Sequence, residues 1–382
     1  MKRWSHGPGG EAMTGWLGFE DDLGPKRVIH VHQPSLGLQG ALVVDNVAAG
    51  PSIGGLRMAE DVTVAECFRL ARAMSLKNAA AGLPHGGGKS VLRGDPKQPR
   101  ENKEELIRAF ACALGDVEDY IFGPDMGTDE GAMAWVKDEI GRSVGLPREV
   151  GGIPLDELGA TGFGLMQAIE AAMPATDFEL AGARVVIQGF GAVGMHTARF
   201  LAERGAVVIA ASDSNGAVLN DGGLDVAALG DAKRQGQAVA DFPGGEALDR
   251  DAVIDVDCEI WVPAARPDVI DMGNVDRLRT KLVPQGANIP ITTEAEQSLH
   301  ARGILCLPDF IANAGGVICA AMEYAGAGEA AAFAAIAEKI RRNTEEVLQR
   351  SRDEGTTPRA AAFRLAEERL RRAMETRRWS IF

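Results

Sequence analysis

The chain has 382 residues, of which 46% are hydrophobic and 25% are charged, and its formal net charge is −14. This acidic balance excludes the basic footprint that binding to nucleic acid or to an anionic membrane requires, and no apolar run approaches a membrane span. The five cysteines show no CxxC spacing, which favours reduced thiols in a cytoplasmic protein without a metal site. The first sixteen residues lack the apolar core of a signal peptide. The length predicts two domains.

The first half of the chain predicts short strands mixed with amphipathic helices. Polar and glycine-rich turns separate these segments. The predicted elements are strands at 28–32 and 41–45, a helix after Gly54-Gly55, a helix at 101–114, a short strand ending before Asp125, and a helix at 130–140.

Two lysines near the first helix are the most unusual feature of this half. Lys77 has the helical spacing of an apolar stripe that includes Leu70, Met74 and Ala81. Lys89 follows three glycines, which let a backbone approach a bound molecule closely. We expect both lysines to point into one cleft, one holding an anion and the other doing proton chemistry. The alternative is that both extend to water at the end of the helix.

Asp125 lies in a turn just past a predicted strand, a position where polar side chains often take part in binding or catalysis. The alternative interpretation is that it caps the helix at 130–140 or stabilises the turn.

The second half contains a strand–GxGxxG–helix–strand–acid pattern, which is a strong indication of dinucleotide binding in this context. Gly189 permits the tight turn, Gly191 admits the pyrophosphate and Gly194 lets helix pack on strand. Ala192 and Val193 complete the loop at a helix amino terminus, which favours negative charge. The acid is Asp213, nineteen residues past the third glycine, after the strand at 206–211.

An acid at this position accepts hydrogen bonds from the ribose hydroxyls and repels a 2′-phosphate. No arginine is adjacent to Asp213 in the sequence. The pattern therefore predicts NAD, with NADP less favoured.

Three further apolar runs predict strands of the same sheet, and two of them end in loops that contain Asn288 and Asn313. Ligands of open α/β sheets bind at the carboxyl ends of the strands. Turn formation or helix capping is the alternative role of each asparagine. The remaining predicted elements are strands at 260–264, 281–284 and 304–307, and helices at 331–350 and 358–376.

Seven motifs in the same order resemble the amino-acid dehydrogenases that include the glutamate, leucine, valine and phenylalanine enzymes. This resemblance implies reversible NAD(P)-dependent oxidative deamination of an L-amino acid to a 2-oxo acid and ammonia. The motifs are GGLRM at Gly54, SLKNAAAGLPHGGGKSVL at Ser75, GPDMGTDEGAMAW at Gly123, ATGFG at Ala160, QGFGAVG at Gln188, QGAN at Gln285 and PDFIANAGGV at Pro308.

The resemblance also implies roles for individual residues. Lys77 matches the lysine that pairs with the substrate α-carboxylate, and Lys89 matches the general base toward water. Asp125 matches the acid that shuttles protons to the amine. Thr161 and Asn288 match residues that position the nicotinamide, with Asn288 also near substrate. Gly54 and Gly55 would let the substrate approach the backbone.

Two departures from the glutamate enzymes concern the substrate side chain. Ile53 stands where those enzymes have a lysine for the side-chain carboxylate, and Ala320 stands where a serine assists it. Burying a carboxylate against these residues without donors would cost several kcal/mol. We therefore expect an apolar leucine-, valine- or phenylalanine-type substrate. Glutamate is the alternative, since the text around Asp125 and Asp213 is closer to the glutamate branch.

The predicted fold class is α/β, a Rossmann-type domain plus an α/β substrate domain with a cleft between them. We expect the substrate domain at 1–157, the NAD domain at 158–345, and carboxyl-terminal helices at 346–382 that return to the first domain. The resemblance implies a homo-oligomer. A rival of another class is a dinucleotide-binding regulatory subunit without turnover. A hydroxy-acid dehydrogenase is a weaker option, because two lysines suit amine chemistry better.

Overall fold

A computed structural model describes residues 18–376, so the amino-terminal segment considered for a signal peptide lies outside the described residues. Within that range the chain forms two sheets surrounded by helices, which confirms the predicted α/β class. The strands are β1 (Arg27–Gln33), β2 (Leu38–Asn46), β3 (Ser52–Ala59), β4 (Gly86–Arg93), β5 (Tyr120–Pro124), β6 (Arg184–Gln188), β7 (Val207–Ser212), β8 (Ala217–Leu219), β9 (Glu246–Leu248), β10 (Ile260–Pro263), β11 (Leu282–Pro284) and β12 (Leu305–Leu307).

The helices cover both sheets and close the chain with two long antiparallel segments. They are α1 (Val64–Ala80), α2 (Arg100–Ala113), α3 (Glu130–Ile140), α4 (Leu155–Leu158), α5 (Ala160–Ala172), α6 (Ala192–Glu203), α7 (Val226–Arg234), α8 (Thr293–Ala301), α9 (Asp309–Ala312), α10 (Gly315–Tyr324), α11 (Glu329–Glu354) and α12 (Pro358–Thr376).

The first sheet has the order β1-β2-β4-β3-β5, with β3 parallel to both of its neighbours. The sequence did not predict β3 and β4, because both contain glycines, which are poor strand formers. Their glycines are needed by packing: a Cβ at Gly87 would lie 1.9 Å from the backbone nitrogen of Ser75 in α1. The bare strand therefore allows α1 to lie directly on it.

The second sheet has the order β12-β11-β10-β6-β7-β8-β9, and its first five strands are parallel. The chain runs from β6 through α6 to β7 on one side, and β10 pairs with β6 on the other side. This reversal creates a crevice at the carboxyl ends of β6 and β10, where open α/β sheets bind ligands.

Apolar packing joins the two sheets. One buried cluster contains Ile53 and Ile121 from the first sheet together with Leu165 from α5 and Ala320 from α10. The last helix lies against α1, where Arg369 donates a 2.6 Å hydrogen bond to the carbonyl of Ala80. Within residues 18–376, no helix is long and apolar enough to cross a bilayer.

Candidate active site

Strands β3 and β4 hold Lys89 above a glycine pair. A Cβ at Gly54 would lie 1.8 Å from the carbonyl oxygen of Gly88, so only glycine fits between these strands. A Cβ at Gly55 would lie 2.7 Å from the Asp125 Cβ and 3.0 Å from the Lys89 Nζ. The missing side chain of Gly55 therefore leaves the space in which Lys89 and Asp125 meet.

Lys89 and Asp125 form a direct ion pair, with Lys89 almost fully buried. Arg57 approaches the same carboxylate at 3.4 Å and pairs with Glu66 at 2.6 Å. Burial would raise the pKa of Asp125, but the positive charges of Lys89 and Arg57 outweigh it and hold the pKa below its ordinary value. Direct contact between an ammonium and a carboxylate lets a proton pass between them.

The turn that carries Asp125 is fixed by its own hydrogen bonds. The backbone N–H of Asp125 donates to the hydroxyl of Thr128, and its carboxylate accepts from the N–H of Met126 at 2.7 Å. The cap of α3 is Asp129, whose side chain accepts from Ala132. The alternative that Asp125 caps α3 is therefore wrong, because Asp129 is the N-cap.

Lys77 lies in the last turn of α1, close enough to Lys89 and Asp125 for their charges to act on its pKa. The pKa of Lys77 is lowered to about 8, mainly by burial and also by the charge of Lys89, while Asp309 and Asp125 oppose the lowering. No acceptor between residues 18 and 376 forms a hydrogen bond or ion pair with its ammonium. A cation in this position is stabilised by an incoming anion.

The predicted apolar stripe of α1 is displaced from the observed one. Leu70 and Met74 are half-buried and Ala73 is exposed. The helix buries small and polar residues because it lies on a glycine-rich strand and bonds to it: Asn78 donates to the carbonyl of Gly86 at 2.7 Å. The buried residues are Cys67, Phe68, Ala71, Ser75, Asn78, Ala79 and Ala80.

Asp309 connects this cleft to the second sheet. Its carboxylate accepts from the N–H of Ile289 at 2.9 Å and pairs with Arg359 of α12 at 2.9 Å. The exposed Asn288 precedes Ile289, and its side-chain oxygen accepts from Asn313 at 3.1 Å. The loop that carries Asn288 is thereby tied to the surroundings of Lys77. Asp309 was not among the predicted site residues, although it lies in the PDFIANAGGV motif.

Ile53 and Ala320 are both buried in the same apolar cluster, with exposures of 3% and 6%. Ile53 precedes the glycine pair on β3, and Ala320 lies on α10. Thr161, in the first turn of α5, packs against the start of α10, where a Cβ at Gly316 would lie 3.1 Å from its hydroxyl. Ile53 and Ala320 therefore contribute an apolar wall between β3 and α10.

The GxGxxG loop has the geometry of an anion cradle. Gly189 has a φ of 97° and no room for a side chain, since a Cβ would lie 2.6 Å from Ala265. A Cβ at Gly194 would lie 2.0 Å from the carbonyl oxygen of Gly189, whereas Gly191 faces open space. Ala192 and Val193 begin α6, and the first N–H groups of a helix have no partner within it. The loop therefore fits a dinucleotide pyrophosphate.

Asp213 follows β7 and pairs with Lys233 of α7 at 2.5 Å. Burial would raise the pKa of Asp213, but Lys233 and the backbone N–H groups of Asn215 and Val239 outweigh it and lower the pKa. Both side chains line a cavity of about 610 Å³ that also includes Gly189 and Arg266. No arginine is adjacent to Asp213 in the sequence, but α7 brings a different cation, Lys233, from twenty residues along the chain.

Among residues 18–376, no group of three or more His, Cys, Asp and Glu side chains is arranged to hold a metal ion.

Comparisons with known proteins agree with this geometry. The family described as Glutamate/Leucine/Phenylalanine/Valine dehydrogenase matches residues 151–378, and its dimerisation domain, described as Glu/Leu/Phe/Val dehydrogenase, matches residues 25–142. The chain is 36% identical to a glutamate dehydrogenase from Aeropyrum pernix, covering 87% of this chain and 85% of that one.

Two further relatives extend the comparison. An NADP-specific glutamate dehydrogenase from Saccharolobus shibatae is 36% identical, over 79% of this chain and 76% of its own. A solved structure, the hetero-hexameric glutamate dehydrogenase from Thermus thermophilus in its leucine-bound form, is 30% identical with a TM-score of 0.83. It covers 92% of this chain and 90% of its own. The chain belongs to the Glutamate/Leucine/Phenylalanine/Valine dehydrogenase family and is an oxidoreductase that acts on the CH–NH₂ group of amino acids with NAD or NADP.

Proposed function

We propose that the chain catalyses the reversible oxidative deamination of L-glutamate to 2-oxoglutarate and ammonia with NAD or NADP. The observation that carries the chemistry is the Lys89–Asp125 ion pair above Gly55, with the unpartnered Lys77 at the same cleft. The choice of glutamate is supported by the relatives, which are named glutamate dehydrogenases. The apolar substrate expected from Ile53 and Ala320 has less support from the comparisons.

In the proposed mechanism Lys77 binds the α-carboxylate. This role supplies the anion that its buried ammonium lacks, and it fixes the substrate Cα above the Gly54–Gly55 pair. The carboxylate also restores the protonated form of Lys77, whose pKa is about 8 without it.

Lys89 and Asp125 then carry out the proton transfers of the reaction. When bound, the dinucleotide would supply the acceptor for the hydride that leaves Cα, and the substrate would then be an iminium. A proton first passes from Lys89 to Asp125 within the pair, and the neutral Lys89 amine then removes a proton from the water that attacks this iminium carbon. The Asp125 carboxyl delivers its proton to the amine of the resulting carbinolamine and takes up the hydroxyl proton as the amine departs. Ammonia leaves, and the carbon that bore it becomes the carbonyl of the 2-oxo acid.

The second sheet would hold the dinucleotide. Gly189, Gly191 and Gly194, with Ala192 and Val193, would cradle the pyrophosphate at the start of α6. Thr161 and Asn288 would position the nicotinamide. Asp213 would accept from the ribose hydroxyls of NAD, and Lys233 offers a cation to a 2′-phosphate. A preference for NAD over NADP is therefore not supported, and a relative is named NADP-specific.

An apolar L-amino acid is the second candidate substrate. Ile53 and Ala320 are buried together and present no donor, and a substrate methylene gains roughly 0.8 kcal/mol when it is buried. The non-catalytic regulatory subunit is disfavoured, because Lys77, Lys89 and Asp125 are all present at one cleft.

The proposed functions belong to three successive parts of the chain. Residues 1–157 would carry the substrate site, 158–345 the dinucleotide, and 346–382 would pack on the first domain, as the bond from Arg369 to Ala80 supports. Closing of the cleft would exclude water from the lysines. We further propose an oligomer of identical subunits, while the Thermus relative is hetero-hexameric.

A spectrophotometric panel tests this proposal. Purified protein is assayed for reduction of NAD and of NADP with each of the twenty amino acids. We expect turnover, with L-glutamate giving the highest kcat/KM. Leucine, valine or phenylalanine in first place would favour the second candidate. Dinucleotide binding without turnover of any amino acid would refute the enzymatic proposal.

A further inference from the structure

His85 is a buried histidine that the proposed mechanism does not use. It stands directly before β4 and is 6% exposed. Its Nδ1 lies 3.0 Å from the carbonyl oxygen of Pro51. Because a carbonyl only accepts, Nδ1 carries a hydrogen and donates it. The tautomer is thereby fixed, and Nε2 is the nitrogen left for another partner.

The ring of His85 bridges the two elements that carry the apolar wall of the site. Its other contact is the ring of Tyr324 on α10, edge-on with centroids 5.8 Å apart. Tyr324 follows Ala320 by four residues, about 6 Å along a helix. Pro51 precedes Ile53 by two residues, roughly 6.6 Å along a strand. His85 stands two residues before Gly87, which pairs with Ile53, and its contact Tyr324 is one helical turn from Ala320.

The surroundings of His85 contain no fixed countercharge. Burial lowers its pKa, while the bond to Pro51 opposes this lowering. Between residues 18 and 376, no charged side chain forms an ion pair or hydrogen bond with the ring, and Tyr324 is the titratable group that touches it. Without a ligand, the Nε2 of the neutral ring is an acceptor that forms no hydrogen bond with residues 18–376. Only protonation would turn Nε2 into a donor.

Resting on the proposed glutamate activity, we infer that His85 binds the distal carboxylate of a dicarboxylate substrate through Nε2, taking up one proton from solvent as it does so. The imidazolium and the carboxylate neutralise each other inside an otherwise apolar wall, and the lysine missing at position 53 is replaced from a different strand. An apolar substrate meets the neutral ring and requires no proton. His85 is thus a specificity-determining residue. It is protonated when the substrate side chain carries a carboxylate and neutral when that side chain is apolar.

Calorimetric binding of two 2-oxo acids tests this inference without depending on turnover. The full-length protein with reduced dinucleotide is titrated at pH 7.5 with 2-oxoglutarate and with 4-methyl-2-oxopentanoate, in phosphate and in Tris, whose ionisation heats differ. We expect 2-oxoglutarate to take up as much as one more proton than the monocarboxylate. In His85→Leu this difference should vanish, with 2-oxoglutarate binding weakened about tenfold and the monocarboxylate unaffected.

Two further variants make the result specific. His85→Gln, which can donate without titrating, should recover part of the affinity for 2-oxoglutarate with no extra proton. His30→Leu changes an exposed histidine of β1 and should behave as the wild type. Equal weakening of both oxo acids in His85→Leu, or 2-oxoglutarate binding without the extra proton, overturns the inference. Absence of turnover with His85-dependent binding intact would refute the proposed function alone.

Discussion

Lys89 and Asp125 are held in direct contact across Gly55, whose missing side chain leaves the room for the pair. The two residues come from β4 and from the turn after β5, which are separated in the sheet by β3. Their proximity therefore depends on the order of the strands. It also depends on Gly55 in β3, the strand between them. A variant that changes Gly55 therefore tests both the catalytic proposal and the packing of the first sheet.

The first prediction concerns the pH dependence of substrate binding through Lys77. The pKa of Lys77 is lowered to about 8, so its ammonium is present below pH 8 and is lost as the pH rises through that value. Affinity for 4-methyl-2-oxopentanoate, which has no distal carboxylate, should fall about tenfold per pH unit above 8. Titrations between pH 7 and 9.5 measure it. Lys77→Met should bind weakly at every pH, and a flat wild-type profile would contradict the role.

A second prediction contrasts the two glycines of β3. Gly54→Ala places a Cβ 1.8 Å from the carbonyl oxygen of Gly88, so we expect loss of the folded protein, seen as a much lower Tm. Gly55→Ala meets the backbone only at the carbonyl oxygen of Pro124, at 2.9 Å, so it should be less destabilised than Gly54→Ala and should fold. Displacing Lys89 and Asp125 should nevertheless lower kcat about a hundredfold. Gly328→Ala, which meets nothing within 4 Å, is the control. Unchanged kcat in Gly55→Ala would count against the ion pair as catalytic.

The third prediction places the substrate side chain beside Ile53. Ile53→Lys puts a cation into a site with 3% exposure, which should destabilise the protein until a carboxylate arrives. We expect a lower Tm that 2-oxoglutarate restores, and a ratio of kcat/KM for glutamate over leucine raised about tenfold or more. If this ratio does not move, the side-chain pocket lies elsewhere.

A fourth prediction assigns cofactor discrimination to the Asp213–Lys233 pair. Lys233→Ala removes the cation that can meet a 2′-phosphate, so KM for NADP should rise about tenfold relative to KM for NAD. Asp213→Asn should shift the ratio in the opposite direction, because it removes the like charge. Initial-rate measurements with both dinucleotides decide between these outcomes. Equal changes for both dinucleotides in Lys233→Ala would show that Lys233 acts only on folding.

The sequence predicted local features best. The β6–loop–α6 unit follows from a short apolar run, three glycines and a helical stripe, all within about twenty residues. The helix α3 was predicted with its observed bounds, although its cap is Asp129 and the sequence analysis had considered Asp125 for that role.

Features that depend on contacts between distant segments were missed. The strands β3 and β4 were not predicted, because their glycines serve the packing of α1 rather than strand propensity. The buried face of α1 was misjudged, since Ser75 and Asn78 bond to neighbouring backbone and side chains instead of packing as apolar residues. Lys233 reaches Asp213 from another helix, and Asp309 connects Lys77 to the second sheet. Contacts of this kind, between residues far apart in the chain, leave no local sequence pattern.

The most direct measurement of the central claim is the turnover of Lys89→Ala beside its dinucleotide affinity. We expect kcat to fall by about three orders of magnitude, as loss of a positioned proton-transfer group does, while fluorescence titration gives an unchanged Kd for the reduced dinucleotide. Lys97→Ala, an exposed lysine of the loop after β4, should retain both values. Turnover that survives in Lys89→Ala, or falls only in proportion to a weakened Kd, would contradict the account.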